Sequence, residues 1–226
     1  MKKFAERKLV KKLKRNFQAA KDSRLLEKKF EFLRDYPKFY ATAKKELEPY
    51  YNDYTKGTSA AFMAASIEIS VFNLILCDFL KPASVIDLGS GFSSFVFRYF
   101  SRKNNLGTKV FSVDDDALWL KKTAEYLEKN KIQSDNMLTL DDIGRIGTEK
   151  FDIIFHDMGN MQIRTNMLGF TMDHVKETGI IVLDDMHKAD YEKTAKTIMK
   201  EHGFKCLSLR KYTLDELGRF SYCSFK

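Results

Sequence analysis

The sequence has little cysteine, and what it has is scattered. Cys77, Cys206 and Cys223 stand far apart in 226 residues, with no CxxC pair. An odd, widely spaced set makes no disulfide framework, so three reduced, buried thiols in a cytoplasmic protein are expected. An apolar leader is missing as well: the chain opens on Met-Lys-Lys-Phe-Ala-Glu-Arg-Lys. The longest apolar stretch, Ala60 to Leu80, is interrupted by Ser66, Glu68, Ser70, Asn73 and Asp78. Charge near a bilayer centre is costly, so a buried helix is expected there and no transmembrane segment. Internal repeats, low-complexity tracts and flexible linkers are also missing. What remains, with 44% hydrophobic and 31% charged residues, is one domain of ordinary size with a helical extension.

Charge is present but unevenly placed. The first 29 residues hold twelve Lys/Arg against three acids, a local +9, whereas the remaining 27 bases and 28 acids nearly cancel. Three readings of that segment stand side by side. It is the solvated face of an amphipathic helix whose Phe4, Val10, Leu13 and Phe17 pack on the domain or on a second copy in a homodimer. It is an arm tracking the phosphates of RNA, or a helix lying on an anionic membrane surface.

Hydrophobic periodicity predicts helix over residues 1–34 and again from Pro37 to Leu47. Pro49 is expected to end that helix, with Tyr50 to Gly57 as a loop, and Thr58 or Ser59 to cap an apolar helix running to Leu80. From Ser84 the pattern changes to short apolar runs: Val85–Leu88, Val110–Val113, Met137–Leu140, Phe151–Phe155 and Ile180–Leu183. Helical stretches follow in turn: Ser93–Arg102, Ala117–Lys129, about Met161–Lys176, and Tyr191–His202. Strands without polar alternation, each followed by a helix, imply a doubly wound parallel sheet covered on both faces. Phe204–Leu209 and Phe220–Phe225 lack a convincing helix between them and suggest an antiparallel hairpin at one sheet edge. The expected fold is therefore α/β: a mostly parallel seven-stranded sheet with a C-terminal antiparallel hairpin, after an N-terminal helical extension. The expected division is 1–57, a basic extension or lid, and 58–226, the α/β domain.

The first strand of such a sheet ends in Asp87-Leu88-Gly89-Ser90-Gly91-Phe92-Ser93-Ser94. Glycines at 89 and 91 allow a tight turn and close approach to a ligand, and the helix start at Phe92–Ser94 offers amides to an anion such as a carboxylate. A dinucleotide loop would want glycine at 94, where this chain has serine. Asp114, ending the second strand, is placed to accept ribose hydroxyls, which NAD and S-adenosylmethionine (SAM) share.

The run Val85-Ile86-Asp87-Leu88-Gly89-Ser90-Gly91, followed by Phe111-Ser112-Val113-Asp114, resembles motif I and its successor in class I SAM-dependent methyltransferases. The likeness covers about 140 residues from Ser84 on, including the terminal hairpin. It implies that Gly89, Ser90 and Gly91 contact the methionine part of SAM and Asp114 the ribose. It further implies that Asp141 meets the adenine amino group, with Asp142 competing, and that Asp87 sits beneath the loop and orders it.

Acids also follow the fourth and fifth strands: His156-Asp157 and Asp184-Asp185. Neighbouring strands lie about 4.8 Å apart, so these carboxylates are placed to converge on one hard cation such as Mg²⁺, which would bind and acidify a substrate hydroxyl. Asp157, Asp184 and Asp185 resemble the metal trio of catechol-type and macrolide-sugar-type O-methyltransferases. Those enzymes carry a catalytic lysine three residues after the first acid, and here that residue is Asn160. A general base would then come from Asp157, His156 or His187. The same acids have a plainer use, capping the helix that follows. The strand-four end, His-Asp-Met-Gly, lacks the pattern of enzymes that methylate exocyclic amines of bases, and no cysteine motif suits carbon methylation through a thiol adduct. The expectation is O-methylation of a small hydroxylated molecule, aided by a divalent cation. RNA methylation with the basic helix as docking arm, and a non-catalytic SAM-binding module, are the alternatives.

Overall fold

The computed structural model describes the backbone of residues 2–226 and the side chains of Leu13 and 15–226. Two long helices come first, α1 (Lys2–Lys29) and α2 (Tyr36–Gly57), joined by a short 3₁₀ turn at Glu31–Arg34. The apolar α3 (Ile67–Leu80) follows, and then the alternating part: β1 (Ser84–Leu88), α4 (Phe92–Asn104), β2 (Lys109–Asp114), α5 (Ala117–Lys129), β3 (Met137–Thr139) and β4 (Phe151–His156). The chain continues through α6 (Met161–Asn166), α7 (Leu168–His174), β5 (Val175–Leu183), α8 (Ala189–Glu201), β6 (Lys205–Ser208), α9 (Arg210–Thr213) and β7 (Tyr222–Phe225).

All seven strands form one sheet in the order β3-β2-β1-β4-β5-β7-β6. Neighbours from β3 to β5 run parallel, and β7 lies antiparallel between β5 and β6. This is the expected doubly wound sheet with its terminal hairpin. The order reverses at β1, with β2 on one side and β4 on the other, which puts a crevice at the carboxyl ends of those strands. Buried side chains fall into two clusters. One joins α2, α3 and α4 through Leu47, Tyr54, Phe72, Phe92 and Phe95; the other holds Ile86, Ile154, Ile181, Tyr191 and Met199. Cys77 and Cys223 are buried and Cys206 partly so, all as free thiols. Among the described residues no helix is long and apolar enough to cross a membrane.

Three boundaries differ from the sequence expectation. Pro49 does not end α2, which continues to Gly57. A proline inside a helix costs about 3 kcal/mol, yet Tyr36, Ala43, Leu47 and Tyr54 form one buried stripe on both sides of it. Burying Leu47 and Tyr54 in a shared core offsets the lost backbone bond. The helix capped at Thr58 or Ser59 starts instead at Ile67, with Ser66 as cap, and residues 58–66 form a turn-rich connection. The single helix expected over Met161–Lys176 is two short ones, α6 and α7, and residues 175 onward already belong to β5.

The aromatic residues Tyr36, Phe39, Tyr40, Tyr50, Tyr51 and Tyr54 read from sequence either as the lining or lid of a substrate pocket or as ordinary helix packing, and most of them pack. Tyr50 lies against Phe95 and Tyr99, Tyr51 edge-on to Phe92, and Tyr36 edge-on to Tyr212. The basic side chains at positions 2, 3, 7, 8, 11, 12 and 14, with Phe4 and Val10, lie outside the described residues. Further along α1, Arg15 pairs with Glu192 at 3.1 Å and Asp22 accepts the backbone N–H of Ser208 at 3.0 Å, so the helix is fastened to α8 and β6.

Ser66 accepts the backbone N–H of Ile69 at 3.3 Å and satisfies one orphan donor of a nearly all-buried helix. Ser66→Ala is expected to lower unfolding free energy by about 1 kcal/mol, as read from urea denaturation, with an unchanged m-value.

Candidate active site

A cavity of about 570 Å³ opens at the carboxyl ends of β1, β2, β4 and β5. The Gly89-Ser90-Gly91 turn, Asp114, Asp157, Asp184, Asp185 and His187 all line it. The topology thus brings together residues from four separate strand ends.

The turn after β1 is shaped by two close approaches. Gly89 has φ +112°, and a Cβ there would lie 2.6 Å from the carbonyl carbon of Asp157, so only glycine lets this loop press on the chain leaving β4. A Cβ on Gly91 would come within 3.2 Å of the Tyr54 hydroxyl. Beneath the loop Asp87 is fully buried and accepts the hydroxyls of Ser93 and Ser94 at 2.9 and 2.6 Å. Ser112 donates in turn to Ser94, and the buried Arg98 donates to Ser112 at 2.8 Å. Ser94, at the position a dinucleotide loop gives to glycine, is therefore a working part of this network. Burial raises Asp87 to about 7, against the pull of the two serines and Arg98. Asp87 lies under the loop and outside the cavity lining.

Asp114 is on the wall but already engaged. One oxygen accepts the Ser90 N–H at 2.7 Å and the Ser90 hydroxyl at 2.8 Å, while the other accepts the Asp116 N–H at 3.0 Å. A carboxylate offers about four lone-pair sites, so Asp114 keeps room for one further donor, where two ribose hydroxyls were expected. Asp116 caps α5 through the amides of Leu118 and Trp119, and the Trp119 indole donates to the Ser90 carbonyl at 2.8 Å. Asp115, between the two acids, is exposed on the cavity wall. Asp141, expected at the adenine, sits on the 3₁₀ turn after β3, exposed and outside the cavity lining, as does Asp142. β3 ends at Thr139, and the turn that follows carries both acids.

The acids after β4 and β5 meet a residue that the sequence reading passed over. Arg164, on α6, is 3% exposed and donates to Asp157 Oδ1 at 2.7 Å and Asp185 Oδ2 at 3.1 Å. It also donates to the backbone carbonyls of Asp157, Met158 and Gly159. Lys188 reaches the same Asp185 oxygen at 2.6 Å, and Asp184 accepts the Ser221 hydroxyl at 2.6 Å. Burial raises Asp157 and Asp184, while Arg164, Lys188 and His187 outweigh burial at Asp185 and hold it below its ordinary range. Among the described residues no three His, Cys, Asp or Glu side chains gather to hold a metal ion. Asp157, Asp184 and Asp185 are thus drawn toward protein donors, and the expected trio does not fit Mg²⁺ as it stands. Neither Asp184 nor Asp185 caps α8, whose cap position is Lys188. Asn160, in the place of the lysine, caps α6 through the amides of Gln162 and Ile163.

The two histidines separate. His156 is fully buried, with Nε2 donating to the Arg164 carbonyl at 2.8 Å and Nδ1 without a partner among the described residues. It is absent from the cavity lining, so a role as general base is corrected to one in the core. His187 lines the cavity with Nδ1 3.4 Å from Asp185, and burial lowers its pKa. Arg219 is not singled out from sequence, whereas Tyr54, one of the aromatic cluster offered as a pocket lining, does line the cavity, with a buried hydroxyl that has no partner among the described residues. Arg219 donates to the carbonyls of Phe62 and Ala64 at 3.1 and 3.0 Å, pinning the 58–66 connection over the cavity with Phe62 and Met63 exposed. Tyr54 falls in the expected loop, and the buried stripe continuing past Pro49 places it on a helix instead.

The comparisons agree on the fold. No protein-family model matches the sequence, and no curated protein matches it. Solved structures do. An O-methyltransferase from Bacillus cereus in complex with SAH is 14% identical, with 81% of this chain and 89% of that one covered and a TM-score of 0.61. The SAH-bound Podospora anserina methyltransferase PaMTH1 gives 13%, 80% and 87%, and 0.61. A precorrin-6y methyltransferase from Geobacter metallireducens gives 16%, 73% and 90%, and 0.56. The chain has the Rossmann-like α/β fold of class I SAM-dependent methyltransferases.

Burial lowers His156 from 6.5 to about 3. A histidine with a depressed folded-state pKa contributes stability that is complete above its unfolded value and lost as pH falls from 6.5 toward 3. Between pH 7 and pH 5 this residue alone is expected to remove about 2 kcal/mol of unfolding free energy. His156→Gln should flatten that slope when urea denaturation is repeated at both pH values.

Proposed function

We propose that the chain transfers the methyl group of SAM to an oxygen of a small hydroxylated acceptor. One observation carries this reading: the Gly89–Gly91 turn, Asp114 and the unpartnered Tyr54 hydroxyl share one cavity with the strand-four and strand-five acids. In it residues 58–226 form the catalytic domain, and residues 1–57 are the extension that supplies Tyr54. Gly89, Ser90, Gly91 and the first turn of α4 receive the methionine end of SAM, Asp114 accepts one ribose hydroxyl, and Asp87 holds the loop from below.

Six carboxylates line the cavity against Arg164, Lys188 and Arg219. That balance favours a cationic sulfonium over the neutral thioether left after transfer. The acceptor hydroxyl enters beside His187, which is neutral near pH 7 and takes its proton. The oxygen lone pair then forms the new bond to the methyl carbon, the carbon–sulfur bond breaks, and its electrons stay on sulfur as SAH. Positioning of oxygen, carbon and sulfur in line provides the rest of the acceleration. No step passes through a divalent cation, because Asp157, Asp184 and Asp185 already meet protein donors. RNA is one of the outcomes of the acceptor screen.

The cofactor reading predicts SAH binding with Kd on the order of 10 μM. Gly91→Arg should abolish it in calorimetry while far-UV circular dichroism stays native; undiminished binding would sink the assignment. Tyr54→Phe, which removes a buried unpartnered hydroxyl, should leave apo stability within about 1 kcal/mol and weaken SAH several-fold. Labelled SAM offered with phenols, sugars and RNA reads the acceptor. Transfer to none of them would favour the non-catalytic module.

A further inference from the structure

The structure assigns to Arg164 the position that a divalent ion would take between the strand-four and strand-five acids: its guanidinium is the resident cation of this site. One guanidinium bridges Asp157 and Asp185, at 2.7 and 3.1 Å, and these acids come from two different strand ends. A divalent ion would need their lone pairs directed at one point about 2.0–2.6 Å away. Here the same lone pairs meet N–H groups, and Asp185 is also held by Lys188 at 2.6 Å.

Arg164 is not an arm free to swing aside. Its side chain is 4% exposed, and its Nε and Nη2 also meet the backbone carbonyls of Asp157, Met158 and Gly159. The local chain is built to present it. Asn160 caps α6, the Arg164 N–H donates to the Asn160 carbonyl at 3.0 Å, and the Arg164 carbonyl accepts from the buried His156. Asparagine at 160 and arginine at 164 are thus parts of one arrangement, in which a fixed cation replaces an exchangeable one. A guanidinium is planar, permanently charged and suited to two carboxylates at once. It neutralises the acids and locks the two loops together, so Arg164 is a positioning residue.

Ion binding by the SAM-free chain tests this without depending on the methyl-transfer reading. Wild type is expected to show no calorimetric heat and no change in Tm with millimolar MgCl₂ or MnCl₂. Arg164→Met, which leaves the carboxylates without their bridge, should melt lower and regain about 3–6 °C in MnCl₂, as an ion at tenfold its Kd gives a domain of this size. Saturable Mg²⁺ or Mn²⁺ binding by wild type that disappears in Asp185→Asn would overturn the proposal. So would an Arg164→Met chain that folds and stays indifferent to Mn²⁺. If Arg164→Met does not fold, the wild-type and Asp185→Asn titrations decide: no heat in either supports the resident cation.

Discussion

Burying a carboxylate at the end of a central strand is costly unless donors meet it, and here three strand ends carry a buried one and a fourth, at Asp157, a partly buried one. Asp87, Asp114, Asp157 and Asp184 belong to or directly follow β1, β2, β4 and β5. Each has found a different set of donors: two serine hydroxyls, the Ser90 amide and hydroxyl, a guanidinium, and the Ser221 hydroxyl. Much of the local architecture follows from these pairings. Ser94 stands where a dinucleotide loop has glycine, α6 is capped and short, and the β6–β7 connection returns to place Ser221.

Gly89 couples these solutions. Because it has no side chain, the β1 turn rests against the Asp157–Met158 peptide, and that peptide is also fixed by Arg164. The loop proposed to hold the methyl donor and the acids beside the acceptor are therefore one rigid wall. Pre-organisation of this kind suits the proposed methyl transfer, whose catalysis would consist largely of aligning acceptor, methyl carbon and sulfur. The opposite wall, Phe62 and Met63 on a segment pinned by Arg219, is apolar and exposed, and contrasts with the charged floor.

Where the sequence expectations went wrong, a tertiary effect outweighed a local one. Pro49 argues for a helix end, but the stripe from Tyr36 to Tyr54 is buried along its whole length, and the helix continues. Asp141 follows the third strand as the resemblance implies, on a 3₁₀ turn that leaves it exposed and outside the cavity lining. His156 and His187 look similar in sequence, each within two residues of an acid. Strand alternation sends His156 into the core, and a loop leaves His187 on the cavity.

The sequence by itself determined the alternation of strands and helices, the terminal hairpin, the glycine turn after β1 and the acids at the strand ends. These are encoded locally, by hydrophobic period and by residue types with narrow conformational use. Only the tertiary structure decided what the acids do. Charge pairing depends on distances between segments remote in sequence, and Arg164 lies 21 residues before Asp185, which it binds. Read along the chain, Asp157, Asp184 and Asp185 form a set of ligands in search of a cation; in the fold, the chain has already supplied one.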